Sequence, residues 1–326
     1  MNHRIARVTL NYPAFTTFSI LSLISAIAQV ALGGVVRVTD SGLGCPDWPL
    51  CHGQIIPPFE FTTIIEYSHR LSASLLILLV FVSTILAWKR LGNHHISTQF
   101  MIFASGLVLV AAILGGITVL TELKWWVVLI HLGIAESVVA CIAIAIVNGN
   151  KPNNSKGLPR LSNKPTWFMP VLITALVSTF LLILSGSYMV GLGYGSSCGT
   201  WPLCQGNILP TMEPFAVHML HRYLALIVFL MVVMISAIGL TLFESPPTQR
   251  ISGIILILFV IQILVGAGTV WSGFIPAFKS VHLTLATLVW ATLVLMAATI
   301  IQGNGAIVEK RAKHISCSPD PGKSVS

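Results

Sequence analysis

Apolar residues fall along this chain in long runs separated by short polar segments. Runs of about 20 residues, the length that crosses roughly 30 Å of hydrocarbon, lie near 15–37, 68–88, 98–120, 125–147, 167–191, 217–243, 251–271 and 280–301. The pattern predicts an all-α integral membrane protein of eight transmembrane helices. The first run contains Ser25-Ala26-Ile27-Ala28, which resembles a signal-peptidase site, but it continues apolar too far for a cleaved signal and is read as a helix.

Composition agrees with that reading. Of the 326 residues 55% are hydrophobic and only 9% charged, with a mean hydropathy of +0.88, too little charge to cover a soluble surface. The net charge of +8 marks topology, because the basic residues lie between the apolar runs; nucleic-acid binding is set aside. Arg4, Arg7, Lys89, Arg90, Lys151, Lys156, Arg160, Lys164, Arg250, Lys310, Arg311, Lys313 and Lys323 fall on one side of an eight-span arrangement, against Arg37, Arg70, Lys124, Arg222 and Lys279 on the other. The positive-inside rule puts both termini in the cytoplasm of a multi-pass cell-membrane protein. The loops after spans 1, 3, 5 and 7 then face outward.

The chain repeats itself. Gly44-Cys45-Pro46-Asp47-Trp48-Pro49-Leu50-Cys51-His52-Gly53 is echoed by Ser197-Cys198-Gly199-Thr200-Trp201-Pro202-Leu203-Cys204-Gln205-Gly206. In the same order Ser68-His69-Arg70 matches Leu220-His221-Arg222, Gly115-Gly116-Ile117-Thr118-Val119 matches Gly266-Ala267-Gly268-Thr269-Val270, and His131-Leu132 matches His282-Leu283. An even number of spans per unit gives two halves of the same orientation, a parallel repeat of two four-helix bundles. The expected division is 1–147 and 166–303 for the bundles, a polar cytoplasmic linker at 148–165, and a cytoplasmic tail at 304–326.

Of ten histidines, His3, His52, His94, His95, His218 and His314 lie in loops, tails or a helix mouth. His69, His131, His221 and His282 sit just inside spans 2, 4, 6 and 8. One membrane histidine is more often a packing residue than a ligand. Two repeat-related pairs, each on neighbouring helices, point instead to iron held between imidazoles in a porphyrin, one haem per half. Zinc and copper fit less well, since they ask for three or four close protein ligands.

Around these pairs stand other charged groups. Arg70 and Arg222 follow their histidines at the water boundary, where a guanidinium pairs with a haem propionate or simply snorkels. Glu66 precedes His69 by one helical turn and shares its face, whereas the second half has His218 there. That difference makes the first half the candidate for chemistry and the second for electron storage. Glu136 lies within span 4, with Thr287 as its counterpart. Cys45 and Cys51 share one outer loop, Cys198 and Cys204 another; an oxidising exterior predicts a disulfide within each loop, among three possible connectivities. No C-x-x-C-H occurs, so covalent haem attachment of the common type is excluded.

The stretch Gly33-Gly34-Val35-Val36-Arg37-Val38-Thr39, then Ser41-Gly42-Leu43-Gly44-Cys45-Pro46-Asp47-Trp48-Pro49 and Glu66-Tyr67-Ser68-His69-Arg70 resembles the haem A synthase family, from span 1 to span 8. The resemblance implies a haem b cofactor ligated by His221 and His282, haem O as substrate between His69 and His131, and Glu66 as the carboxylate needed for turnover. It also implies that the first-loop cysteine pair takes part in the cycle as a disulfide. The implied reaction oxidises the C8 methyl of haem O through an alcohol to a hydrate that loses water, leaving the formyl group of haem A for terminal oxidases. Implied partners are membrane lipid, the farnesyltransferase that makes haem O, and an electron donor. The alternatives are a di-haem b-type electron-transfer protein, which needs no asymmetric carboxylate, and a parallel-repeat transporter, which needs a midplane polar site.

Overall fold

The computed structural model describes residues 13–149, 167–243 and 245–316. The expected linker, apart from Asn148 and Gly149, and the last ten residues of the tail lie outside the described residues. Eight helices follow one another: α1 (Pro13–Val38), α2 (Phe61–Leu91), α3 (Ile96–Leu120), α4 (Trp125–Gly149), α5 (Phe168–Gly191), α6 (Glu213–Thr241), α7 (Pro246–Trp271) and α8 (Pro276–Ser316). All eight are long and apolar enough to cross a membrane. Among the described residues there is no strand, only isolated bridges between Cys51 and Gln54 and between Cys204 and Asn207.

Helices suit this solvent because hydrocarbon offers no partner to a peptide group, so every backbone donor must be satisfied within its own segment. Ile24, Leu78, Phe103, Leu181, Leu230 and Ile257 turn their side chains outward, as lipid requires. Several helices begin earlier than the apolar runs. α2 starts at Phe61 and α6 at Glu213, because polar residues such as Thr62, Thr63 and Glu66 dilute hydropathy without breaking a helix. α8 continues past Gly303 to Ser316, so residues expected to open the tail prolong the last helix. α4 runs two residues into the expected linker, where Asn148 Nδ2 donates to the Ile144 carbonyl at 2.9 Å.

Short connections make successive helices antiparallel neighbours, and the packing returns on itself twice. α1 lies on α2, α2 on α3, α3 on α4 and α4 on α1; α5 lies on α6, α6 on α7, α7 on α8 and α8 on α5. Further contacts join α1 to α8, α4 to α8 and α4 to α5. One apolar core runs through α1–α4 and reaches Ile183, Trp290, Ala291 and Val294, and a second fills the space among α5–α8. Small residues bring these helices close: a Cβ on Gly34 of α1 would stand 3.1 Å from Leu283 of α8, and one on Gly191 of α5 2.8 Å from Trp125 of α4.

The α4–α8 seam is polar at one level. Thr287 Oγ1 donates to Glu136 Oε1 at 2.7 Å, and Trp290 Nε1 donates to the Glu136 carbonyl at 2.9 Å. Gln302 Nε2 reaches the Val147 carbonyl at 3.1 Å near the far end. Glu136 and Thr287 are fully buried, so their hydrogen bond has no water to fall back on. Replacing Thr287 with Val keeps the shape and removes the hydroxyl. The expected cost is about 1 kcal/mol, the scale of a hydrogen bond between membrane helices, seen as a lower thermal midpoint in detergent; an unchanged midpoint would show that the bond contributes nothing.

Candidate functional site

Each in-span histidine lies against a glycine of the preceding helix. A Cβ on Gly33 of α1 would stand 3.1 Å from His69 Cε1 on α2, and one on Gly115 of α3 3.4 Å from His131 Cε1 on α4. The second half repeats this: a Cβ on Gly186 of α5 would stand 3.2 Å from His221 Cε1 on α6, and one on Gly266 of α7 2.9 Å from His282 Cε1 on α8. Glycine inside a helix costs about 1 kcal/mol relative to alanine. In return the ring occupies the space a side chain would fill. The structure brings His69 and His131 close enough to act on one another electrostatically, and His221 and His282 likewise.

The rings differ in their polar partners. Gln29 Nε2 on α1 lies 3.1 Å from His69 Nδ1 and 3.2 Å from its Nε2. Ser185 Oγ on α5 is 2.8 Å from His221 Nδ1, and Gln262 Nε2 on α7 is 3.4 Å from His282 Nε2. His131 and His282 lie beside the main chain of Ala111 and Gln262, and their Nδ1 atoms are buried away from any side-chain partner. Paired imidazoles, each buried against a glycine of the preceding helix where a Cβ would crowd the ring, fit a flat iron macrocycle that brings four nitrogens of its own.

Above each pair lies a loop, residues 39–60 in the first half and 192–212 in the second. Disulfides join Cys45 to Cys51 and Cys198 to Cys204, as expected. Trp48 packs over α3, its ring 2.8 Å from where a Cβ on Gly116 would stand, and Trp201 meets Trp271 of α7 edge-on at 5.5 Å. Asp47 closes the first loop's turn by accepting from the His52 and Gly53 N–H groups at 2.6 and 2.8 Å. The Gly53 N–H above all, then that of His52 and the nearby Arg70 charge, hold its carboxyl below the usual carboxylate range. Thr200 does the same work in the second loop with an uncharged hydroxyl, accepting from the Gln205 N–H at 2.7 Å.

Glu66 and His218 occupy the same place in the two halves. The Cys45 N–H donates to Glu66 Oε2 at 2.8 Å and Arg70 Nη2 to Oε1 at 2.5 Å. In the second half the Cys198 N–H approaches His218 Nδ1 at 3.5 Å, and Arg222 Nη2 lies 3.3 Å from His218 Nε2. Glu66 is 3% exposed and His218 5%. Both arginines also hold loop carbonyls: Arg70 those of Cys45, Asp47 and Leu50, Arg222 those of Cys198, Thr200 and Pro202. One main-chain N–H and one guanidinium thus form a frame that is filled by a carboxylate once and an imidazole once.

Glu66, His69 and Arg70 therefore share one end of α2 with the Cys45–Cys51 loop, as the sequence placed them, and His131 comes to them from α4. Glu136 is apart from this group, on the seam with α8. Cys141 is a buried free thiol. The sequence reading missed Gln29, Ser185, Gln262 and Asp47, and it read Gly115 and Gly266 as landmarks of the repeat without seeing what they touch. A glycine at the level of each histidine, in a helix that could have held alanine, was the available signal.

Comparison with known proteins agrees with this geometry. Heme A synthase of Alkalihalophilus pseudofirmus is 30% identical over 224 residues, covering 67% of this chain and 74% of that protein. Heme A synthase of Staphylococcus aureus is 34% identical over 208 residues, covering 61% and 67%, and that of Bacillus pumilus 29% over 220 residues, covering 64% and 71%. A family profile described as cytochrome oxidase assembly protein, COX15-CtaA, matches residues 16–294. The chain belongs to the COX15-CtaA family of cytochrome oxidase assembly proteins.

Proposed function

We propose that the chain is a haem A synthase, an oxidoreductase that converts the C8 methyl of haem O to a formyl group. The observation that carries this reading is the shared frame of Cys N–H and Arg guanidinium, which holds Glu66 beside one imidazole pair and His218 beside the other. Two electron-carrying haem sites would need no such difference.

In this reading residues 1–147 form the substrate bundle, with haem O between His69 and His131, and residues 166–303 the bundle that holds haem b through His221 and His282. Bound haem iron would supply the oxidising centre that no side chain provides. The chain's own part is placement and charge. Both Glu66 oxygens accept hydrogen bonds, which suits an ionised carboxylate, and its negative charge stands where positive charge develops beside the macrocycle or where a proton must be taken. A propionate would share the guanidinium of Arg70 or Arg222 with the loop carbonyls, linking the acid edge of each haem to its disulfide loop. Lipid is the solvent of the helices, and the farnesyltransferase that makes haem O and an electron donor are the protein partners this activity asks for. Two disulfides at one end and 13 of the 18 basic residues on the other side support a cell-membrane protein whose disulfide loops face the oxidising exterior and whose termini face the cytoplasm.

Replacing His221 or His282 with Ala should lower the haem b that copurifies or change its low-spin spectrum. Two variants with wild-type content and spectrum would refute the ligand assignment. Replacing Glu66 with Gln keeps size and most hydrogen bonding but removes the charge. Haem A formation from supplied haem O should fall by about two orders of magnitude, the loss typical of one well-placed electrostatic group, while haem b remains. Chromatography of the extracted haems decides, and near-normal haem A would remove Glu66 from the mechanism.

A further inference from the structure

The loops above the two histidine pairs carry the same apolar ledge. After each disulfide the chain continues as Gln54-Ile55-Ile56-Pro57-Pro58-Phe59 in the first half and Asn207-Ile208-Leu209-Pro210-Thr211-Met212 in the second, without a charged residue in either. Ile55, Ile56 and Phe59, and their counterparts Ile208, Leu209 and Met212, are each between 63% and 87% exposed. Large apolar side chains left bare singly are ordinary. Grouped at matching places in two loops, they mark a surface that meets something apolar.

Each ledge is held down against the helix that follows it. Tyr67 Oη donates to the Ile55 carbonyl at 2.7 Å, and Tyr223 Oη to the Ile208 carbonyl. The two tyrosines are not counterparts, since Tyr67 precedes His69 by two residues and Tyr223 follows His221 by two. The same carbonyl is thus held from positions one helical turn apart. Tyr223 stands ten residues beyond Glu213, about 15 Å down α6 at 1.5 Å per residue. That is farther than a tyrosine and a hydrogen bond reach back, so the Ile208 carbonyl lies alongside the helix, below its first residue. Ile64 and Leu71 share Tyr67's face of α2, and Leu220 shares that of Tyr223 on α6; all three are exposed, as lipid-facing residues are. In the first ledge Pro57 and Pro58 have no N–H, and the Pro58 carbonyl accepts from the Glu60 N–H at 2.9 Å. Prolines and satisfied carbonyls lower the cost of leaving water.

We propose that both ledges are inserted in the lipid leaflet on the disulfide side of the membrane, at the level of the headgroups and first acyl carbons, where they anchor the two loops. Three observations choose lipid over a protein partner. Neither ledge offers a charge to pair with, both halves carry one, and each continues into the lipid-facing surface of α2 or α6. Tyr67 and Tyr223 join an apolar ring to a hydroxyl, which suits the boundary between hydrocarbon and water. Arg70 and Arg222 hold loop carbonyls from within, so each loop is fixed between its bundle and the lipid. The inference concerns the membrane alone and does not rest on the activity proposed above.

The test uses the full-length protein as purified, reconstituted in phosphatidylcholine vesicles that carry a diazirine phosphatidylcholine, photoreactive either beside the glycerol or at the end of the acyl chain. After irradiation, peptide mass spectrometry locates the lipid adducts. The shallow probe should label residues 54–59 and 207–212. The deep probe should label the exposed mid-span residues Leu78 and Leu230 and leave both ledges nearly bare. Ile56→Asp combined with Leu209→Asp should lower labelling of the ledges several-fold, because a carboxylate resists leaving water, while unchanged labelling at Leu78 and Leu230 reports an intact fold. Should that variant fail to fold, the wild-type pattern decides alone. Ledges bare with both probes, beside labelled Leu78 and Leu230, would overturn the proposal and assign the patches to a protein partner or to open water. Ledge labelling that the two carboxylates leave unchanged would overturn it as well.

Discussion

A side chain cannot occupy the space where an imidazole must lie, and the four contacts between a histidine and a glycine of the preceding helix express that constraint. The rest of the arrangement depends on it. Because Gly33, Gly115, Gly186 and Gly266 present bare backbone, each ring stays between two helices that pack at close range. Burial then leaves each ring few polar partners. In water the same groups would exchange partners freely.

The two halves keep this scaffold and vary what it holds. Arg70 and Arg222 clamp their loops through equivalent carbonyls, and each disulfide loop closes over its own pair of histidines. Against that common background two positions at the loops differ in kind: Glu66 against His218, and Asp47 against Thr200. Both put a carboxylate in the first half where the second has an imidazole or a hydroxyl.

The helix count, the repeat, the four histidines, Glu66 and both disulfides were legible in the sequence, because long apolar runs and repeated motifs are local signals. Helix ends were not, since Thr62, Thr63 and Glu66 lower hydropathy without ending α2, and α8 continues beyond its apolar run. The partners of the rings were hidden for a different reason. Gln29 and Ser72 are 43 residues apart and meet only when α1 lies on α2, and Ser185 meets His221, 36 residues on, only when α5 lies on α6. Equally, the i, i+4 step from Glu66 to Arg70 shows that the pair can meet, but the Cys45 N–H that completes the frame comes from a loop with no periodicity.

The bond between Glu136 and Thr287 joins two positions that are each other's counterparts in the repeat. A residue that meets its own counterpart would, in an assembly of two identical halves, face a copy of itself. Two first halves would set carboxyl against carboxyl in a dry seam, where like charges cannot both be borne; two second halves would set hydroxyl against hydroxyl and forgo the acid. Only unlike halves give a matched acid and alcohol. The seam thus matches unlike partners, an acid on α4 and an alcohol on α8.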